Sequence, residues 1–149
     1  MRVKIQGPQQ VRGSIEPPSS KAYTHRALVA SLLANGTSSI EKPSSCDDIE
    51  RTIEGIKSLG AQVARGKETI RIVSSGLADI DEAQIQCGES GATLRFLTAV
   101  CAAFPTDTTL TATGSLSTRP LILLLQALKT LGARAELQQD NQSLCVKVG

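Results

Sequence analysis

Apolar and polar residues recur along this chain with two different periods. Apolar positions three and four residues apart are typical of a helix with one buried face, and strict alternation is typical of a strand. Four segments have the helical period and predict helices at about 23–34, 47–59, 92–103 and 120–131. Alternating segments predict strands near 3–6, 11–15, 37–41, 61–64, 69–73, 85–87, 108–112, 133–137 and 144–148. This mixed order predicts an α/β protein.

The second half of the chain repeats the first. Residues 56–63 (IKSLGAQV) and 128–135 (LKTLGARA) are nearly alike, so Gly60 in the first copy corresponds to Gly132 in the second. Internal similarity of this kind indicates a duplicated structural unit. Each copy has predicted elements in the order βαβαββ, and we predict one unit at about 14–80 and the other at about 81–149.

The last predicted helix is apolar nearly all the way round. Its apolar residues are Leu121, Ile122, Leu123, Leu124, Leu125 and Leu128. A helix with this pattern is normally buried on most sides. We therefore expect the helices to pack inside the molecule and the sheets to lie outside.

Composition and charge exclude several classes of partner. The net charge of +2 provides no strongly basic surface for a nucleic acid or a membrane. With two Phe, one Tyr and no Trp, the chain lacks the aromatic platforms on which single-stranded nucleic acids stack. The longest apolar run, at 121–125, is too short to span a bilayer. We expect a cytoplasmic protein that binds neither nucleic acid nor membranes.

The cysteines and the single histidine, His25, show no spacing typical of a metal site. Unpaired cysteines suit a reducing compartment, and the four are Cys46, Cys87, Cys101 and Cys145. We expect no metal and no cofactor, and we interpret His25 as structural. Asp47 and Asp48 begin the second predicted helix and are interpreted as a helix cap rather than as a catalytic pair.

Basic residues or a glycine lie near the starts of three predicted helices. Lys21 and Arg26 lie at the first start, Gly91 in the loop before the third helix, and Arg119 before the fourth. The positive end of a helix dipole disfavours a cation, so a cation there often shares its position with a bound anion. Taken singly, each position is also explained by a solvated charge or a tight turn. Their recurrence in both copies favours a shared site for phosphorylated anions.

Three motifs in this order resemble those of the 5-enolpyruvylshikimate-3-phosphate synthase family. They are PSSKAYTHRAL at 18–28, CGESGATLRF at 87–96 and Arg119-Pro120, and the helix predicted at 47–59 is similar as well. Members of that family transfer the enolpyruvyl group of phosphoenolpyruvate to the 5-hydroxyl of shikimate 3-phosphate and release phosphate, in aromatic amino-acid biosynthesis. The resemblance implies repeated βαβαββ units of the enolpyruvyl transferase type.

The resemblance also implies residue roles. By resemblance Lys21 contacts both substrates, Arg26 holds shikimate 3-phosphate, and Gly91 and Arg119 hold phosphoenolpyruvate. Arg95 closes the second motif and has a supporting role.

The chain departs from the family pattern in two ways. Ala22 stands where the family usually has a serine that binds shikimate phosphate, a loss of about 1 kcal/mol if nothing replaces that hydroxyl. The loop before Arg119 is also short.

Family members are much longer, with two domains of three units each, and the resemblance aligns this chain with the first two units of the first domain. Strands within 1–13 are then expected to pair with a second domain that is absent. By resemblance the acid–base residues lie in the missing part, so no catalytic residue is assigned within this chain. We expect the isolated chain to be inactive, because ground-state phosphate contacts do not by themselves accelerate the chemical step. The remainder of the enzyme, or a second copy of the chain meeting the unpaired strand edge, is an expected partner.

Two alternatives stay open. A relative that acts on UDP-N-acetylglucosamine shares the architecture, but it begins with a Gly-Ala-Lys-Asn type motif and has a reactive loop cysteine. The Ser20-Lys21 motif, and the lack of a cysteine near Arg119, argue against that relative. The second alternative is a non-catalytic module that binds a phosphorylated ligand, or an inert folded fragment.

Overall fold

The computed structural model describes residues 2–4, 6–7, 10, 12–77, 80–105, 107–140 and 142–149. Within them the chain forms four α-helices, α1 (Lys21–Leu33), α2 (Asp47–Ser58), α3 (Gly91–Cys101) and α4 (Ile122–Thr130), and a short 3₁₀ turn at Gly114–Leu116. The strands in the same residues are β1 (Gly36–Glu41), β2 (Gln62–Arg65), β3 (Thr69–Ser74), β4 (Glu82–Gly88), β5 (Asp107–Thr113), β6 (Ala135–Gln139) and β7 (Ser143–Val148). The α/β class predicted from the pattern is confirmed.

The strands form two separate sheets. The first has the order β1-β3-β2 with antiparallel neighbours. The second has the order β4-β5-β7-β6, in which β4 and β5 are parallel and the other pairs antiparallel. Alternate residues of β3, β4, β5 and β7 are buried, so each sheet presents one face to the core.

Three helices fill the space between the two sheets. Helix α1 packs on β3 of the first sheet, α3 packs on β5 of the second, and α2 contacts α1, α3 and β4. Their buried side chains form one aliphatic cluster that includes Leu28, Leu32, Ile53, Leu94 and Leu97. For these three helices the expected arrangement, with helices inside and sheets outside, is confirmed.

The prediction that helix α4 is buried on most sides is wrong. Of its own residues only Leu125 is buried, and Leu121 just before it is buried too. Leu123 is 76% exposed and Ile122 is 50% exposed. The helix contacts α3 and β6 on one side, and no other element of the described chain covers its opposite side. An all-round apolar sequence therefore does not ensure burial when only one side has a neighbour.

The two strands predicted before α1 are not found. The described residues of 3–6 and 11–15 form no strand, and Ile5 and Val11 lie outside the described residues. Ile15 is 92% exposed and Val3 is 72% exposed. The alternating pattern predicted half-buried strands, but here these side chains have no core to face.

None of the helices in the described part of the chain is long and apolar enough to cross a membrane.

Candidate functional site

Helix α1 begins two residues earlier than its apolar period predicts, because Ser20 caps it. The Ser20 hydroxyl accepts a hydrogen bond from the Tyr23 backbone N–H at 3.3 Å, and its carbonyl accepts one from Thr24 at 3.0 Å. Lys21 is therefore the first helical residue. Its Nζ donates to Asp48 Oδ2 at 2.7 Å, at the start of α2.

Helix α3 begins in the same way. The Ser90 hydroxyl accepts from the Thr93 backbone N–H at 3.3 Å, and Gly91 is the first helical residue. A Cβ at Gly91 would lie 2.9 Å from Arg95 Nη1 and 3.7 Å from Arg119 Nη1. The missing side chain therefore leaves room for the Arg95 guanidinium at the helix start, and the Arg119 guanidinium lies within ordinary contact distance of the same point.

Arg119 lies on a turn rather than at the mouth of a helix, which corrects the predicted start of α4 at Pro120. The helix begins at Ile122. The Arg119 backbone N–H donates to the Leu116 carbonyl at 3.1 Å, and Arg95 Nη2 donates to the Pro120 carbonyl at 3.3 Å. A turn held by backbone hydrogen bonds, and not the first turn of a helix, therefore carries this arginine.

Lys21, Gly91 and Arg119 line one open pocket of about 530 Å³. The other residues that line it are Asp48, Glu89, Ala92, Arg95, Phe96 and Ser115. The structure thus brings together three of the four binding residues expected from the sequence. Parts of the chain as distant in sequence as 21 and 119 meet here because α1, α2 and α3 pack with their starts at one end.

The charges of the pocket suit an anion. Three cations, on Lys21, Arg95 and Arg119, face two carboxylates, on Asp48 and Glu89. The hydrogen bond and charge of Asp48 raise the pKa of the Lys21 amine, so this group stays cationic. Hydrogen bonds from Ser115 lower the pKa of the Glu89 carboxyl, which stays ionised. A net positive charge remains to attract an anionic ligand.

Arg26, the fourth expected residue, lies in a neighbouring groove. Its Nη1 donates to the Ala22 carbonyl at 2.9 Å, and its guanidinium lies 5.2 Å from the centre of the Phe96 ring. Apolar residues such as Val29 and Leu33 line that groove, and Phe96 lines both the groove and the pocket. Arg26 is therefore adjacent to the cationic pocket but is not part of its wall.

A buried hydrogen-bond network of one histidine and three hydroxyl groups connects the starts of the three helices. His25 Nδ1 lies 2.7 Å from Thr52 Oγ1, which lies 2.7 Å from Thr93 Oγ1, which lies 2.6 Å from Ser90 Oγ. The Asp48 carbonyl oxygen lies 3.3–3.4 Å from the three hydroxyls and can accept a hydrogen bond from one that does not donate to its neighbour. All four side chains of this hydrogen-bond network are almost fully buried. The network holds the pocket's backbone in register, and His25 has the structural environment that the sequence analysis expected.

Burial lowers the pKa of His25, so the ring is neutral near pH 7. Its Nε2 is buried without a hydrogen-bond partner in the described structure.

Asp48 and Glu89 are the residues of the pocket that sequence reasoning missed. Asp48 was interpreted as a cap of α2, yet the N-cap is Cys46 and the carboxylate of Asp48 binds Lys21. Glu89 directly precedes the Ser90-Gly91 helix start, a position from which it could have been found. In the described residues no group of three or more His, Cys, Asp or Glu side chains is arranged to hold a metal ion.

The sequence and the fold of this chain are similar to those of known proteins. The model of a family described as EPSP synthase (3-phosphoshikimate 1-carboxyvinyltransferase) matches residues 5–149. A relative named 3-phosphoshikimate 1-carboxyvinyltransferase from Methanopyrus kandleri is 37% identical over 138 residues, covering 90% of this chain and 32% of the relative. One of the same name from Thermococcus kodakarensis is 41% identical over 129 residues, covering 85% of this chain and 30% of the relative.

A solved structure of EPSP synthase from Acinetobacter baumannii has the same fold, with a TM-score of 0.79 at 22% identity. It matches 91% of this chain, which covers 32% of that structure. The chain spans about a third of the length of these relatives.

Proposed function

Since this chain belongs to the EPSP synthase family, we propose that it supplies the anion-binding part of an enolpyruvyl transferase. The reaction moves the carboxyvinyl group of phosphoenolpyruvate to the 5-hydroxyl of shikimate 3-phosphate and releases phosphate. The observation that carries the proposal is the single pocket in which Lys21, Gly91 and Arg119 meet.

Each of these residues has a physical role in the proposal. Arg119 and the backbone at Gly91 bind phosphoenolpyruvate, because a guanidinium fork and a helix start both suit anionic oxygens. Lys21 contacts both substrates from the wall of the same pocket, and Arg26 reaches shikimate 3-phosphate from the neighbouring groove. Two anions held close together gain proximity, and the fixed cations stabilise charge as phosphate leaves.

The proposal extends to the organisation of the chain. In this proposal residues 14–80 and 81–149 are the two repeated units, each with one of the two sheets. Strands within 1–13 pair with a part of the protein outside this chain. A cytoplasmic location is part of the same proposal. The four cysteines are free thiols, which suits a reducing compartment.

Binding is the measurement that tests the proposal, because the chain is about a third as long as its relatives. We expect calorimetric titration of the chain with shikimate 3-phosphate and with phosphoenolpyruvate to give affinities of about millimolar. Lys21→Ala should lower the affinity for both ligands by about tenfold. Arg119→Ala should lower the affinity for phosphoenolpyruvate by a similar factor, since each substitution removes a charged hydrogen-bond donor.

Two matched variants control for the loss of positive charge. Lys129→Ala on α4 and Arg71→Ala on β3 each remove one exposed cation outside the pocket. They should leave both affinities unchanged, because neither side chain lines the pocket and salt largely screens exposed charges. Absence of heat with either ligand, or equal losses in the control variants, would contradict the proposal. Preferential binding of UDP-N-acetylglucosamine would favour the related transferase instead.

A further inference from the structure

Glu89 is an acidic residue in the wall of a pocket where cations collect. Its Oε2 accepts a hydrogen bond from the Ser115 backbone N–H at 2.9 Å and another from the Ser115 hydroxyl at 2.7 Å. Glu89 lies just before α3, whereas Ser115 lies on the turn before Arg119. The carboxylate therefore joins the two segments that form the anion pocket.

Gly114 shows how closely the carboxylate approaches this turn. A Cβ on Gly114 would lie 2.5 Å from the Glu89 carboxyl carbon, so the carboxylate would have to shift to make room for it. Gly114 also has a φ of +61°, in the left-handed region. Glycine at this position satisfies both the backbone conformation and the contact with Glu89.

The turn transmits the position of Ser115 to Arg119. The Ser117 backbone N–H donates to the Gly114 carbonyl, and the Arg119 backbone N–H donates to the Leu116 carbonyl, both at 3.1 Å. Leu116 is buried and anchors the middle of the turn. Movement of Ser115 would therefore shift the backbone that carries Arg119.

We propose that Glu89 is a positioning residue that acts through Arg119, by holding the turn at 114–119 so that the guanidinium stays beside Gly91. This inference rests on the proposed function, which assigns Arg119 to phosphoenolpyruvate. The negative charge of Glu89 opposes anion binding, so the benefit of the residue comes from its geometry as a hydrogen-bond acceptor. Glutamine keeps such an acceptor without the charge, and alanine removes both.

A double-mutant cycle with phosphoenolpyruvate as the probe tests the coupling. Glu89→Ala should weaken binding by about tenfold in the unmodified chain, because Arg119 is then no longer held beside Gly91 and its contact with the ligand is weakened. In the Arg119→Ala background it should cause no loss, since no guanidinium remains to be positioned. Glu89→Gln should retain or increase the affinity, and Glu136→Ala, an exposed glutamate outside the pocket, should leave it unchanged.

Equal losses from Glu89→Ala in both backgrounds, or a gain in the unmodified chain, would overturn the inference. Amide hydrogen exchange at 115–119 without ligand separates it from the proposed function. Glu89→Ala should speed that exchange and Glu89→Gln should do so much less, whether or not phosphoenolpyruvate binds. If phosphoenolpyruvate does not bind but exchange responds as expected, the proposed function fails while the hold of Glu89 on the turn stands. Unchanged exchange in Glu89→Ala would overturn the inference even if the ligand binds.

Discussion

Helix α2 and helix α4 end with the same hydrogen bonds but bury very different amounts of their surface. At each end a glycine, Gly60 or Gly132, has a positive φ of 86° or 98°. Its N–H donates to the carbonyl three residues back, and the N–H of the next residue, Ala61 or Ala133, donates five residues back, at 2.9–3.1 Å. This is the Schellman arrangement, which satisfies carbonyls that the helix end leaves free.

The residue before each glycine shows the difference. Leu59 at the end of α2 is fully buried, whereas Leu131 at the end of α4 is 84% exposed. Helix α2 lies between α1 and α3 and also contacts β4, but α4 has neighbours on one side. The comparison shows that a short sequence determines how a helix ends, whereas the surrounding elements determine whether that end is buried.

The largest contrast we expect comes from truncating these two leucines. Leu59→Ala should lower the free energy of unfolding by about 2–5 kcal/mol, because a buried leucine leaves a cavity. Leu131→Ala should change it by about 0.5 kcal/mol or less, as at most exposed positions. Urea unfolding of the three proteins measures both values. Equal effects would mean that Leu131 is covered in solution.

Substitutions of the two glycines that end α2 and α4 should differ less in their effect on stability than the two leucine substitutions. Alanine at either position must adopt a left-handed conformation, at a cost of about 1–2 kcal/mol. A Cβ at Gly60 would also lie 3.1 Å from Ile80 Cδ1, whereas nothing lies within 4 Å of one at Gly132. Gly60→Ala should therefore destabilise the chain more than Gly132→Ala in the same urea experiment, and the reverse order would contradict the packing described for α2.

Gly55 in α2 and Ala127 in α4 occupy equivalent positions in the repeat. A Cβ at Gly55 would lie 2.5 Å from Leu97 Cδ1, so Gly55→Ala should destabilise the chain by about 1 kcal/mol even though alanine favours helices. Ala127→Gly, at an exposed position, should cost about 1 kcal/mol through helix propensity alone. The melting temperatures of the two variants measure both effects. Stabilisation by Gly55→Ala would show that α2 and α3 are less closely packed.

A smaller effect on stability should depend on pH. It should come from the first half of the chain, which holds the single histidine, His25. Burial lowers the pKa of His25 in the folded state, so the unfolded chain binds the proton more readily. Stability is then fully present above the unfolded pKa of about 6.5 and is lost as the pH falls below it. Urea unfolding measured between about pH 7.5 and 5.5 should show a free energy of unfolding that falls with the pH, and His25→Gln should remove this dependence. A pH dependence that persists in His25→Gln would show that other groups cause it.

The local chemistry of the sequence predicted the α-helices and the strands that follow α1 well, but not the segment before α1. The apolar periods located all four α-helices with predicted starts at 23 and 92 for α1 and α3, and the serines that cap these helices explain the observed starts at Lys21 and Gly91. Both glycine helix ends were visible in the repeat. These features depend on residues within one or two turns of each other, which is why the sequence suffices to predict them.

The composition of the pocket could be predicted only in part. Lys21, Gly91 and Arg119 were found from their positions near helix starts and from the family resemblance. Glu89 was missed although it directly precedes the start of α3, and its contact with Ser115 could not be predicted, because Ser115 is remote in sequence and lies on a turn with no periodic signal. Arg26 was assigned with the others, but it extends from α1 into the neighbouring groove and rests on Phe96 of α3.

Tertiary packing also decided the exposure of α4 and of the residues before α1. Their apolar residues predict burial in any sequence analysis, because hydrophobic pattern records only the tendency of a segment to be covered. Whether Leu123 or Ile15 is covered depends on which other segments lie beside it, and in the described chain these side chains face solvent. Helices and their ends are local properties of a sequence, whereas burial and convergence of side chains require contacts between segments far apart in it.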